Sequence, residues 1–124
     1  MTLSQIYKLI LCIETQTMNI VFSKSYLKDL FIGNVKAYKE YKSNPQLVKQ
    51  YVKTINKLKS ITRIEQLHQI KSLRYEKKIG DLNGISAVWV NKQYRILFKE
   101  SSTESGNLNI DLLEIEDLSK HYEK

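Results

Sequence analysis

From Lys77 to Phe98 the chain reads KKIGDLNGISAVWVNKQYRILF, a basic, glycine-bounded loop followed by two runs of aromatic and β-branched residues on either side of Asn91-Lys92. Alternating apolar and polar residues flanking a turn pair predict a β-hairpin. With a two-residue loop, Trp89 would lie opposite Tyr94, Ala87 opposite Ile96 and Ile85 opposite Phe98 on one face, with Val88 opposite Arg95 on the other. Arg95 then falls in the middle of a rigid strand. Ser101 to Asn107 is a polar turn containing Gly106, and Leu108 to Ile115 supplies a third antiparallel strand through Ile110, Leu112, Leu113 and Ile115.

The first half of the chain predicts helices. Met18 to Phe22 reads as a strand, and Ser23 to Ile32 carries Tyr26, Leu27, Leu30 and Phe31 on a helical stripe that Gly33-Asn34 ends. Lys36 to Ser43 interleaves lysine with Tyr38 and Tyr41, and is read as either more helix or a solvated loop. Asn44-Pro45 is a helix start: the first residue caps, and proline at the first helical position lacks only an N–H that has no partner there. Leu47, Val48, Tyr51, Val52, Ile55 and Leu58 then share one face, with Lys49, Lys53, Lys57 and Lys59 away from it or at its border. Ser60 to Ile70 predicts a short helix anchored by Ile64 and Leu67, and Ser72 to Glu76 a brief strand leading into the basic loop. His68, in the short helix, reads as a part-buried or surface residue rather than a catalyst.

Residues 1–17 place Ile6, Leu9, Ile10 and Ile13 at helical spacing. They are read as an N-terminal extension, with Met18 a candidate start and 18–124 the functional domain; a docking helix for a partner is the alternative. This segment is too short to span a bilayer and lacks a small-residue cleavage site, so neither membrane insertion nor export is expected. Cys12 is the lone cysteine, which excludes an internal disulfide and a zinc cluster of cysteines and fits a reducing cytoplasm.

Twenty Lys and Arg against 13 Asp and Glu give a formal charge of +7. Such an excess on a small domain favours polyanions, because each neutralised phosphate releases condensed counterions. Nucleic acid is therefore the leading partner, with an acidic protein as the alternative. The chain has no phosphate-binding glycine loop and no HExxH pair, and Asp81, Asp111, Glu114, Glu116 and Asp117 do not follow a metal-ligand spacing. Neither a metal nor an organic cofactor is expected.

Metal-free RNA cleavage uses the substrate's 2′-hydroxyl as nucleophile. It needs a group to take that proton, positive charge on the phosphate, and a proton for the leaving 5′-oxygen. Arg95 suits the phosphate, since a guanidinium donates two parallel hydrogen bonds and stays charged. His121 has an ordinary pKa near neutrality and suits proton transfer, whereas Tyr122, Lys77 and Lys78 start from about 10 and would orient or neutralise. Trp89 is either a base-stacking platform or a core aromatic against Tyr94. For Arg95 the alternative is an ion pair with Asp111 or Glu114, and for His121 and Tyr122 a frayed tail.

Gly80-Asp81-Leu82-x-Gly84, a hydrophobic strand, Asn91-x-Gln93-Tyr94-Arg95-Ile96 and a chain end with Leu118-Ser119-x-His121-Tyr122 resemble, in that order and spacing, the HigB-type toxins of the RelE/ParE superfamily. The resemblance runs from about Met18 to the end. It implies an α+β domain with an N-terminal strand, two helices packed on an antiparallel sheet and a short C-terminal helix or tail. It also implies a ribosome-dependent mRNA endoribonuclease of a type II toxin–antitoxin pair, held inactive by a HigA-like helix-turn-helix antitoxin. On this reading Arg95, His121 and Tyr122 are catalytic, and Arg74, Tyr75, Lys77, Lys78, Trp89, Lys92, Gln93 and Lys99 contact RNA. One departure is visible: relatives often carry a basic residue where this chain has Trp89. Two rivals stay open, a ParE-like inhibitor of DNA gyrase and a non-catalytic module that binds RNA or an antitoxin.

Overall fold

The computed structural model describes residues 18–78, 84–105 and 108–120, with side chains of 104, 105, 108 and 109 excepted. The proposed extension 1–17, Gly80-Asp81-Leu82 of the basic loop, and His121 and Tyr122 lie outside the described residues. The chain is α+β. Strand β1 (Asn19–Phe22) is followed by helices α1 (Ser25–Ile32), α2 (Lys39–Lys42) and α3 (Pro45–Ser60). Two 3₁₀ turns (Ile64–Gln69 and Lys71–Leu73) then lead to β2 (Glu76–Lys77), β3 (Ser86–Trp89), β4 (Tyr94–Ser105) and β5 (Leu108–Lys120).

Local sequence signals fix the start of α3 and the end of α1. Asn44 Oδ1 accepts the N–H of Leu47 at 3.3 Å and Pro45 opens α3. Leu47, Tyr51, Ile55 and Leu58 are fully buried along its inner face, and the Tyr51 hydroxyl donates to the Leu27 carbonyl at 2.8 Å, tying α3 to α1. Helix α1 stops at Gly33, whose φ of 84° lies in the left-handed region. A Cβ added there meets nothing within 4 Å. Gly33→Ala should therefore lose only the backbone contribution, about 1 kcal/mol, and a thermal melt indistinguishable from the parent would refute this.

The five strands lie in the order β1-β5-β4-β3-β2, and the helices cover one face. Leu27, Leu30, Leu47, Tyr51, Ile55, Leu58 and Leu67 meet Val88, Ile96, Phe98, Leu113, Ile115 and Leu118 of the sheet in one core. The antiparallel run β3-β4-β5 follows the sequence reading, to which the structure adds one detail and two corrections. First, β1 joins β5 in parallel, so the sheet is mixed. No hairpin joins β1 to its neighbour, so nothing imposes the antiparallel direction.

Second, the chain end is strand as far as Lys120 rather than a helical or polar tail from Glu116. A register shift at Leu97/Phe98 lets β5 continue with Leu118 turned into the core. Third, the β3–β4 pairing is slipped by one residue from the two-residue loop: Trp89 pairs with Arg95, Val88 with Ile96, Ala87 with Leu97 and Ser86 with Phe98. Asn91 causes the slip. Its Oδ1 accepts the N–H groups of both Gln93 and Tyr94 at 2.8 Å, and the Val90 N–H bonds the Tyr94 carbonyl, so the turn is the three residues 91–93.

Candidate nucleic-acid interface

Because side chains alternate along a strand and directly paired residues share a face, the slip decides what stands together. Val88, Ile96 and Phe98 go to the core. Trp89 and Arg95 go to the opposite face as direct cross-strand neighbours, with Ala87, Leu97 and Lys99 along the same strands and Glu76 joined through its pairing with Ala87. Lys78, two residues on from Glu76, places its Nζ 2.6 Å from the Glu76 carboxylate. Lys99 Nζ lies 3.7 Å from Glu116.

The centre of this face is a stack. The Arg95 guanidinium lies 3.9 Å from the centroid of the Trp89 ring, and the Arg74 guanidinium lies 3.9 Å from the same ring. Arg95 reaches the indole from β4, and Arg74 from the segment entering β2, the strands on either side of β3. The indole thus stands between two cations, each contributing on the order of 0.5–2 kcal/mol according to its desolvation. Arg74 adopts φ 46°, ψ 51° as the residue closing the second 3₁₀ turn, a left-handed conformation that side chains other than glycine seldom take.

Arg95 is more enclosed than a guanidinium laid on an open strand. It is only 5% exposed, and its Nη1 donates to the Asn91 carbonyl at 2.8 Å and the Tyr94 carbonyl at 3.1 Å. Trp89 on the neighbouring strand covers it, which the two-residue turn would have prevented. Ion pairing of Arg95 with Asp111 or Glu114 is excluded by register. Those carboxylates sit opposite Ser102 and Lys99, seven and four residues along β4, or roughly 23 and 13 Å away at the rise of a strand. The turn bearing Lys92 and Gln93 adjoins Arg95 and is fixed to α3 through Asn91 Nδ2, which donates to Gln50 Oε1 at 2.9 Å.

Tyr75 and Lys77 stand elsewhere. Tyr75 packs on core Phe98 with ring centroids 6.2 Å apart, meets His68 edge-on at 4.7 Å, and hydrogen-bonds Glu100. Burial, then the Glu100 hydrogen bond, pushes its hydroxyl pKa up to about 12, so it is a neutral donor at neutral pH. Lys77 pairs with Ser86, whose hydroxyl also donates to Glu100 at 2.6 Å. Tyr75 and Lys77 line a cleft of about 380 Å³ with His68, Glu65 and Glu100 on the helix side of the sheet.

The fold thus brings Arg74, Trp89 and Arg95 together, places Lys78 and Lys99 farther along the same face and Lys92 and Gln93 at the adjoining turn, and separates Tyr75 and Lys77 from them. His121 and Tyr122 lie outside the described residues, although β5 ends at Lys120, paired with Tyr94 beside Arg95. Glu76 is the acid–base candidate that the sequence reading passed over. Its signal was present: the first residue of a short strand shares the face of whatever stands across it.

Among the described residues no group of three or more His, Cys, Asp or Glu could hold a metal ion. No helix there is long and apolar enough to cross a membrane.

No family model matches this chain. No curated protein matches it either. Among solved structures, a YoeB/ParE toxin from Agrobacterium tumefaciens is similar at 19% identity and a TM-score of 0.48, over 85% of this chain and 100% of that one. A YoeB dimer from Staphylococcus aureus is similar at 22% identity and a TM-score of 0.45, over 85% of this chain and 98% of that one. A YoeB-YefM complex from the same organism gives 23% identity and a TM-score of 0.43, with the same coverage.

Proposed function

We propose that this chain is the toxin of a type II toxin–antitoxin pair and cuts mRNA on the ribosome without a metal ion. The observation that carries the reading is the stack of Arg74 and Arg95 on Trp89 beside the end of β5, on the sheet face that also bears Lys78 and Lys99. The HigB-type order of motifs around the same residues supports it. Arg95 holds the scissile phosphate through its fork of N–H donors, which strengthens as charge develops on the phosphoryl oxygens. The 2′-oxygen attacks phosphorus and gives up its proton, the bond to the 5′-oxygen breaks, and that oxygen takes a proton as it leaves.

His121 suits one of these proton transfers and Glu76 the other; Tyr122 orients the phosphate. Arg74, Trp89, Lys78 and Lys99 hold the strand on the sheet, with Lys92 and Gln93 at its rim, while Tyr75 and Lys77, on the helix side, take no part in this face. A helix-turn-helix antitoxin of HigA type is the cognate partner that silences the face.

With so few strong acid and base groups, positioning by the ribosome supplies much of the rate. Purified protein should therefore cut ribosome-bound mRNA rapidly and naked RNA poorly. His121→Ala should lower the rate and flatten its dependence between about pH 6 and 7. Rapid cutting of naked RNA would sink ribosome dependence. Induction that damages DNA while leaving translation running would replace the nuclease with a gyrase inhibitor. The enclosure of Arg95 favours one rival, a non-catalytic binding module, which predicts RNA binding with no cleavage on or off the ribosome.

A further inference from the structure

We infer that Arg74 is a second phosphate clamp, held against Trp89 so that the indole spaces two guanidinium groups for successive phosphates of one RNA strand. The inference rests on the RNA reading of the sheet face and names a contact within it. Trp89 stacked on an RNA base would need a vacant ring face. Arg95 from β4 and Arg74 from the segment entering β2 reach the ring from the strands on either side of β3, each 3.9 Å from its centroid, which leaves no face for a base. The indole is a spacer, not a base platform.

Stacking consumes only the flat face of a guanidinium. Its N–H fork lies in the plane of the group and points past the ring edge, where it matches two oxygens of one phosphate. Arg74 is exposed, and among the described residues no acceptor takes its side-chain N–H groups. Its backbone is held in the left-handed region, φ 46°, by the end of the 3₁₀ turn, where the Arg74 N–H bonds the Lys71 carbonyl at 3.1 Å. That geometry aims the side chain at Trp89 rather than along β2. Two clamps on opposite sides of one ring stand about twice 3.9 Å apart, the scale of neighbouring phosphates on a single strand. A lysine in solvent would lack this fixed spacing.

The test is binding of a short single-stranded RNA whose 2′-oxygens are methylated so that it cannot be cut, measured over a series of salt concentrations. Each phosphate contact contributes about 0.7 to the slope of log affinity against log salt. Arg74→Gln, which keeps the stem and adds no backbone strain, should reduce that slope by about 0.7 and weaken binding most at low salt. Arg74→Lys should retain the slope. Thermal unfolding of each variant, followed by the fluorescence of the sole tryptophan, gives a structural readout beside it.

An Arg74→Gln protein that melts like the parent and keeps the parental slope overturns the second clamp while leaving the RNA reading standing. Parental protein that binds no RNA at any salt overturns both. Equal loss of slope and affinity in Arg74→Lys and Arg74→Gln would reduce Arg74 to a packing role against Trp89 and overturn the inference.

Discussion

Arg95→Ala should lower mRNA cleavage on ribosomes by about 100 to 1,000-fold, the usual cost of losing one preorganised donor aimed at developing charge. The substitution also carries a structural cost, because the side chain is 5% exposed, stacks on Trp89 and donates to the carbonyls of Asn91 and Tyr94. Leaving two acceptors short of a donor near the turn should destabilise by roughly 1–3 kcal/mol. Activity must therefore be compared well below the melting temperature of the variant. Arg95→Lys separates the two contributions. It restores charge without the two-pronged geometry, so it should recover only part of the rate. An Arg95→Ala protein that remains folded and cuts at the parental rate would remove Arg95 from the chemistry and leave it as the brace of the turn.

The hairpin that carries Arg95 was legible in the sequence, because aromatic and β-branched alternation around Asn91-Lys92 has no helical counterpart. Its register was not. The shift depends on Asn91 Oδ1 capturing two N–H groups, a choice between turn geometries separated by little energy, yet it exchanges the partners of Trp89 and Arg95. The capped start of α3 and the glycine end of α1 were legible because each signal is local. The extension of β5 through Glu116, Asp117, Ser119 and Lys120 was not, since only Leu118 turns to the core and the rest read as a solvated tail.

Arg74 illustrates the same limit at the site. Its basic character was plain and placed it among the RNA contacts, but the stack on Trp89 depends on a left-handed backbone that arginine does not advertise. Tyr75 and Lys77 adjoin Arg74 in sequence but face the helix side, where Tyr75 packs on Phe98 and His68. Neighbours in sequence make poor neighbours on a sheet face. The clearest sites for chemistry are those that alternation and register bring to one side.

Asp111→Ala should lower the melting temperature by about 10 °C, the counterpart of roughly 2–3 kcal/mol. Asp111 is 3% exposed on β5, and its carboxylate accepts the Ser102 hydroxyl at 2.7 Å, the Ile64 N–H at 2.9 Å and Arg63 Nε at 3.1 Å. The two neutral donors lose their acceptor on truncation. The Arg63 side chain is 43% exposed and can rehydrate, so the ion pair is the smaller share of the loss.

Burial by itself would raise the Asp111 pKa, but the donors from Ser102, Ile64 and Arg63 together outweigh it and hold the carboxyl below its ordinary value. A depressed pKa in the folded state makes the contribution complete above the ordinary carboxylate range, near 4, and lost as pH falls through the folded value. The gap in melting temperature between the parent and Asp111→Asn should therefore be widest near neutrality and shrink on acidification. A gap constant with pH, or none at pH 7, would show that the carboxylate charge does not stabilise this end of the sheet. Asp111 pairs across β4 with Ser102, seven residues from Arg95. At temperatures where both variants are folded, cleavage should stay near the parental rate, which distinguishes a loss of fold from a loss of the site.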